Sequence, residues 1–103
     1  MTGTGAGEDV CRLARISGRV QMVWYRAWTV QEAEKRGLSG WVRNREDGTV
    51  EALFCGNPSN VEAMLAACRD GPPQARVTDI VTAPAGAPGL PGFRQLPSAS
   101  PVK

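Results

Sequence analysis

The sequence predicts an α+β sandwich, two helices packed on one face of an antiparallel sheet, in the order β-α-β-β-α-β. Three observations carry this. Runs of alternating character and runs of helical period follow one another in that order along 103 residues. Asp47-Gly48 sits between two alternating runs, the local signature of a hairpin. Asn57-Pro58 opens a stretch with apolar residues at i, i+3, i+4 and i+7, the signature of a capped amphipathic helix.

Taken in order, residues 1–9 are small, polar and Gly-rich and read as a disordered tail, and residues 10–97 read as a single domain. Val10, Arg12, Ala14 and Ile16 alternate with Cys11, Leu13 and Arg15, a strand to about Ser17 that buries mainly one side. A Gly18–Trp24 loop leads into a helix, YRAWTVQEAEK, with Ala27, Val30 and Ala33 on its inner face. Glu32, Glu34, Lys35 and Arg36 suit solvent, and Gly37 is the stop signal. Ser39–Arg45 and Thr49–Cys55 are the two arms of the hairpin. In the second helix, Val61, Met64, Leu65 and Cys68 form the apolar stripe, and Gly71-Pro72-Pro73 ends it. Ala75–Thr82 is a further strand. Residues 83–92, Pro/Gly-rich, form a linker to a short edge strand at Phe93–Leu96, and 98–103 read as a second disordered tail. This order is that of the ferredoxin-like sandwich, which hosts many functions and so leaves the chemistry open.

Composition narrows the field. A chain of this size buries roughly 60–70% of its unfolded surface, enough for one core. A net charge of +2 is too mild to announce nucleic acid or an acidic membrane. Arg15, Arg19, Arg26, Arg43 and Arg45 fall in two short segments, which predicts a local positive field. Cys11, Cys55 and Cys68 fit neither a disulfide framework nor a CxxC pattern, so they read as small buried hydrophobes. The first ten residues lack the basic start and apolar run of a signal peptide, and no apolar stretch reaches the ~18–20 residues of a membrane span. The expected setting is a cytoplasmic monomer.

The sequence holds no His, so Ser-His-Asp sets and His metal sites are excluded. No Asp/Glu cluster has metal-ligand spacing, and neither a Walker A nor a GxGxxG loop occurs, so no metal or cofactor is expected. Catalysis must then rest on backbone donors, Arg and amides. The loop before the first helix offers such donors, because unsatisfied N–H groups and the helix dipole favour an anion there, with further N–H groups in a nest. Arg26, in the first helical turn, opposes the dipole unless an anion is bound; it can then grip that anion with a planar fork. Taken alone, Arg26 reads first as a solvated or salt-bridged side chain. Asn44 can orient a water, although its plain reading is a turn-adjacent Asn bonded to its own backbone.

Two motifs shift that balance. Gly18, Val20, Gln21, Val23, Tyr25 and Arg26 in SGRVQMVWYR, and Gly40, Trp41, Val42, Asn44, Asp47, Gly48, Val50 and Glu51 in GWVRNREDGTVE, resemble the two signatures of the acylphosphatase family. The resemblance runs from about Val10 to Phe93. It implies a metal-free hydrolase of the carboxyl-phosphate bond of acyl phosphates. In that reading Arg26 and the backbone N–H groups of Arg19, Val20, Gln21, Met22, Val23 and Trp24 hold the phosphoryl oxygens. Asn44 positions the water, and the bound phosphate takes the proton. Trp24 and Trp28 are placed to contact the acyl group, with core packing expected of at least one.

The chain departs from the pattern at Met22, where the family has glycine. If the backbone there needs positive φ, a side chain costs roughly 1–2 kcal/mol. The alternative reading is therefore a catalytically impaired anion-binding module of the same fold. A ferredoxin-like RNA-binding domain is the rival from another class. It would need stacking aromatics on its central strands, where only Phe54 stands.

Overall fold

The computed structural model describes residues 8–98; the expected tails, 1–9 and 98–103, lie almost wholly outside them. Five strands and two helices follow in the order β1 (Val10–Arg19), α1 (Tyr25–Lys35), β2 (Ser39–Asn44), β3 (Val50–Gly56), α2 (Pro58–Asp70), β4 (Arg76–Pro84) and β5 (Phe93–Gln95). The sheet order is β4-β1-β3-β2-β5. The first four strands pair antiparallel, but β5 lies parallel to β2, with Gly40 opposite Phe93. The sheet is thus mixed, not wholly antiparallel as expected.

Strand alternation places the core. Ala14, Ile16, Val42, Val50, Ala52 and Phe54 are fully buried beneath the helices. From α2 come Val61, Met64 and Cys68, the expected stripe. The buried ridge of α1 is Tyr25, Thr29 and Ala33, an i, i+4, i+8 series. It replaces the expected Ala27, Val30, Ala33 face, of which only Ala33 is buried. Thr29 is tolerated inside because its Oγ1 donates to the Tyr25 carbonyl at 2.7 Å. Tyr25 in turn donates its hydroxyl to the Cys68 carbonyl at 2.6 Å, tying the start of α1 to the end of α2.

The punctuation residues act as their chemistry dictates. Asn57 Oδ1 accepts from the Ser59 N–H at 2.8 Å and caps α2. Gly37, at φ 67°, closes α1, with Gly37 and Leu38 donating to the carbonyls of Glu34 and Ala33. In the hairpin, Asp47 Oδ1 accepts from both the N–H and the hydroxyl of Thr49. Those bonds hold its carboxyl below the usual range.

The expected roles of Cys11 and Cys55 are corrected. They face one another across β1 and β3, 4.1 Å apart at Cα, and form a disulfide. Sequence separation says nothing of such pairing; strand register creates it. Cys68 is free and buried, as expected. Burial pushes its thiol up to about 12.

Candidate active site

The Val20–Trp24 loop connects β1 to α1 and is shaped from below by its buried side chains. Val20 and Val23 are anchored in the core beside Tyr25. Between and after these anchors the backbone at Met22 and Trp24 lies in the left-handed region, at φ 62° and 67°. Among the described residues these are the non-glycine positions with positive φ. Upstream, Gly18 stands at a register shift between β1 and β4. Its φ is +119°, and a Cβ there would collide with the Arg76 carbonyl, so the strand leaves the sheet through a position open to glycine.

The loop is bolted to the β2–β3 hairpin by one side chain. Gln21 Nε2 donates to the carbonyls of Arg45 and Thr49, at 2.8 and 2.9 Å. Those two residues also pair with each other at the hairpin base, the Arg45 N–H donating to the Thr49 carbonyl. Gln21 therefore fixes the distance between the loop and the strand that carries Asn44. The motif flagged Gln21 for its backbone alone; this bracing role had no local signal.

A cleft of about 470 Å³ opens above the loop, lined by Val20, Met22, Trp24, Tyr25, Arg26, Ala27, Asn44 and Gln95. Five of the eight expected site residues, Arg26, Asn44, Val20, Met22 and Trp24, thus meet there. Arg19, Gln21 and Val23 do not line it: Arg19 is exposed at the end of β1, Gln21 turns to the hairpin and Val23 to the core. Tyr25, Ala27 and Gln95 were not anticipated as lining residues.

The electrostatics of the cleft follow from what is left unbonded. The N-cap of α1 is Trp24, which offers no side-chain cap, and the first turn holds no acidic residue. Among the described residues, none of the N–H groups from Val20 to Trp24 donates to another protein group. By contrast α2, in the same molecule, is capped by Asn57. Among the described residues the Arg26 guanidinium meets no carboxylate; Nη1 donates to the Leu96 carbonyl at 3.3 Å. Asn44, at the end of β2, is half-buried and lines the cleft.

The expected positive field is divided. Arg43 and Arg45 pair with Glu51 at 2.8 and 3.0 Å, and alternation along β2 turns Arg43 away from the face that Asn44 shares with Val42. Arg15 lies opposite Glu51 on β1, exposed. Arg26 is the one member of that cluster lining the cleft. Trp28 packs into the core against Tyr25, ring centroids 5.4 Å apart, whereas Trp24 is 78% exposed.

Comparison with known proteins agrees with this frame. The family model described as Acylphosphatase matches residues 13–94. An acylphosphatase of Rhodospirillum rubrum is 65% identical over 86 residues, covering 84% of this chain and 94% of that protein. An acylphosphatase structure from Coxiella burnetii superposes with a TM-score of 0.83 at 30% identity, covering 93% of this chain and all of that one. One from Bacillus subtilis gives 0.81 at 35% identity, covering 84% and 98%. Fold, motifs and relatives agree, and the chain belongs to the acylphosphatase family of hydrolases.

Proposed function

We propose that the cleft hydrolyses acyl phosphates, with the phosphoryl group seated between the Val20–Trp24 loop and Arg26 and the water held by Asn44. The observation that carries this is the start of α1: among the described residues, loop N–H groups without a protein partner and Arg26 without a carboxylate line one wall, and the Asn44 amide lines the same cleft. An anion there satisfies the helix dipole and the orphan donors together. Arg26 adds its fork to two phosphoryl oxygens.

The chemistry balances without a side-chain base. Asn44 orients a water whose oxygen attacks phosphorus. The bond from phosphorus to the acyl oxygen breaks, its electron pair leaves with the carboxylate, and the water proton passes to a phosphoryl oxygen. Carboxylate is a good leaving group, so positioning and charge stabilisation suffice. Simple phosphate esters lack that leaving group and should turn over far more slowly. No described helix is long and apolar enough to cross a membrane; a cytoplasmic monomer remains part of the proposal.

The test is hydrolysis of benzoyl phosphate against p-nitrophenyl phosphate, with EDTA present. Arg26→Ala should lose inhibition by inorganic phosphate and activity together, the rate falling about 10²–10³-fold. Asn44→Ala should lose rate with phosphate inhibition kept. An unchanged rate in Asn44→Ala would remove Asn44 from the mechanism. The impaired-module reading rests on Met22. Its side chain is 99% exposed and leaves the anion site unfilled, which favours the active enzyme. A folded protein that binds phosphate without turnover would reverse that preference.

A further inference from the structure

Met22 and Trp24 stand out from the rest of the surface. They are 99% and 78% exposed, the largest values among the exposed large hydrophobics of the described residues; the others are Val81 and Leu90. Both line the one cleft, two residues apart, and both occupy left-handed backbone. An apolar side chain on strained backbone that stays this exposed contributes little packing to the fold, and such residues gather where a ligand is handled.

We propose that Met22 and Trp24 form the acyl-group subsite of this cleft and select acyl phosphates with aromatic or branched apolar acyl groups. The inference rests on the hydrolase reading above and names the substrate class for it. The cleft volume of about 470 Å³ lies in the range of sites for small organic ligands and leaves ample room beside a phosphoryl group. Of the residues lining it, Arg26 alone carries a charge, and the phosphoryl group claims it. An acyl group bearing a second carboxylate or an ammonium therefore finds no opposite charge there. A flat or branched apolar group meets an indole face and a polarisable thioether, which suit it through stacking and sulfur–aromatic contact.

The test compares two non-hydrolysable probes, benzoylphosphonate and acetylphosphonate, by calorimetry on the intact protein. The same pair of acyl phosphates is compared by kcat/KM. The added apolar contact of the phenyl ring should give a preference of about tenfold for the benzoyl compound. Met22→Asn and Trp24→Asn keep a residue that tolerates left-handed backbone and remove the apolar group. Each should cut that ratio to about two- to threefold, a loss of more than half the discrimination. The ratio is internal, since any change in the grip on phosphate affects both ligands alike. A wild-type ratio near one, or a ratio unmoved in both variants, overturns the proposal. If the benzoylphosphonate preference and its loss in the variants appear while neither acyl phosphate is hydrolysed, the subsite stands and the hydrolase reading falls. Failure of both phosphonates to bind, with neither acyl phosphate hydrolysed, overturns both.

Discussion

Reducing the Cys11–Cys55 bond should destabilise the protein by about 4 kcal/mol while leaving its folded backbone in place. The two residues are 44 apart in sequence. For a closed loop of that size, chain-entropy arithmetic gives about 13 cal/mol/K, or about 4 kcal/mol at 25 °C. The folded state loses little, because β1 and β3 are already held in register from Val10–Gly56 to Ile16–Val50. The effect therefore acts through the unfolded ensemble, which is released from a cross-link. Against the ~5–15 kcal/mol of a typical domain this is a large fraction. The assay is urea unfolding followed by tryptophan fluorescence, with and without dithiothreitol. With a slope of about 1–3 kcal/mol/M, the midpoint should fall by roughly 1.3–4 M, and the slope should rise as the unfolded chain expands. Thiol titration in denaturant without reductant should find Cys68 alone. Titration of all three cysteines would refute the bridge, and a loss below about 1 kcal/mol would refute the entropic account.

Two further predictions concern the loop and the core. Gln21→Ala leaves the Arg45 and Thr49 carbonyls without their side-chain donor and should cost about 1–3 kcal/mol. It should also weaken inhibition by inorganic phosphate, and a stability loss with unchanged kinetics would remove Gln21 as a positioning residue. Stability should fall in alkali: burial pushes Cys68 from 9.0 up to about 12 and raises Tyr25 above its ordinary 10.0. The unfolded chain then releases protons that the folded chain retains. The contribution is whole below pH 9 and is lost as pH climbs towards 12, at a little over 1 kcal/mol per pH unit for each ionised group. Urea midpoints at pH 8, 9.5 and 10.5 check this, and a flat series would contradict it.

The element order was legible because local chemistry writes it. Asn57-Pro58, Asp47-Gly48 and Gly37 each perform the expected turn or cap. What escaped depends on partners far along the chain. β1 runs on to Arg19 and β4 to Pro84 because each end pairs with the other strand. The parallel setting of β5 depends on Phe93 stacking on Phe54 at 5.6 Å and on bonds such as Leu96 N–H to the Val42 carbonyl. Thr29 escaped as a core residue because its burial relies on a back-bond, not on hydrophobicity. In the site, Arg26 and Asn44 were visible through motif and chemistry, whereas the bracing by Gln21 was not, since its acceptors are backbone carbonyls 24 and 28 residues away. The division of the arginines was readable: period two along β2 sends Arg43 and Asn44 to opposite faces.

The bond from Arg26 to the Leu96 carbonyl spans 70 residues, and Gln95 of β5 lines the same cleft as Val20. The cleft is consequently completed only after β5 has been synthesised. A nascent chain halted after β4 has the loop, Arg26 and Asn44 but lacks the strand that closes the wall beside them. Turnover can thus report on translation itself: arrested at successive lengths, the chain should acquire full activity once β5 has cleared the ribosome and docked on β2.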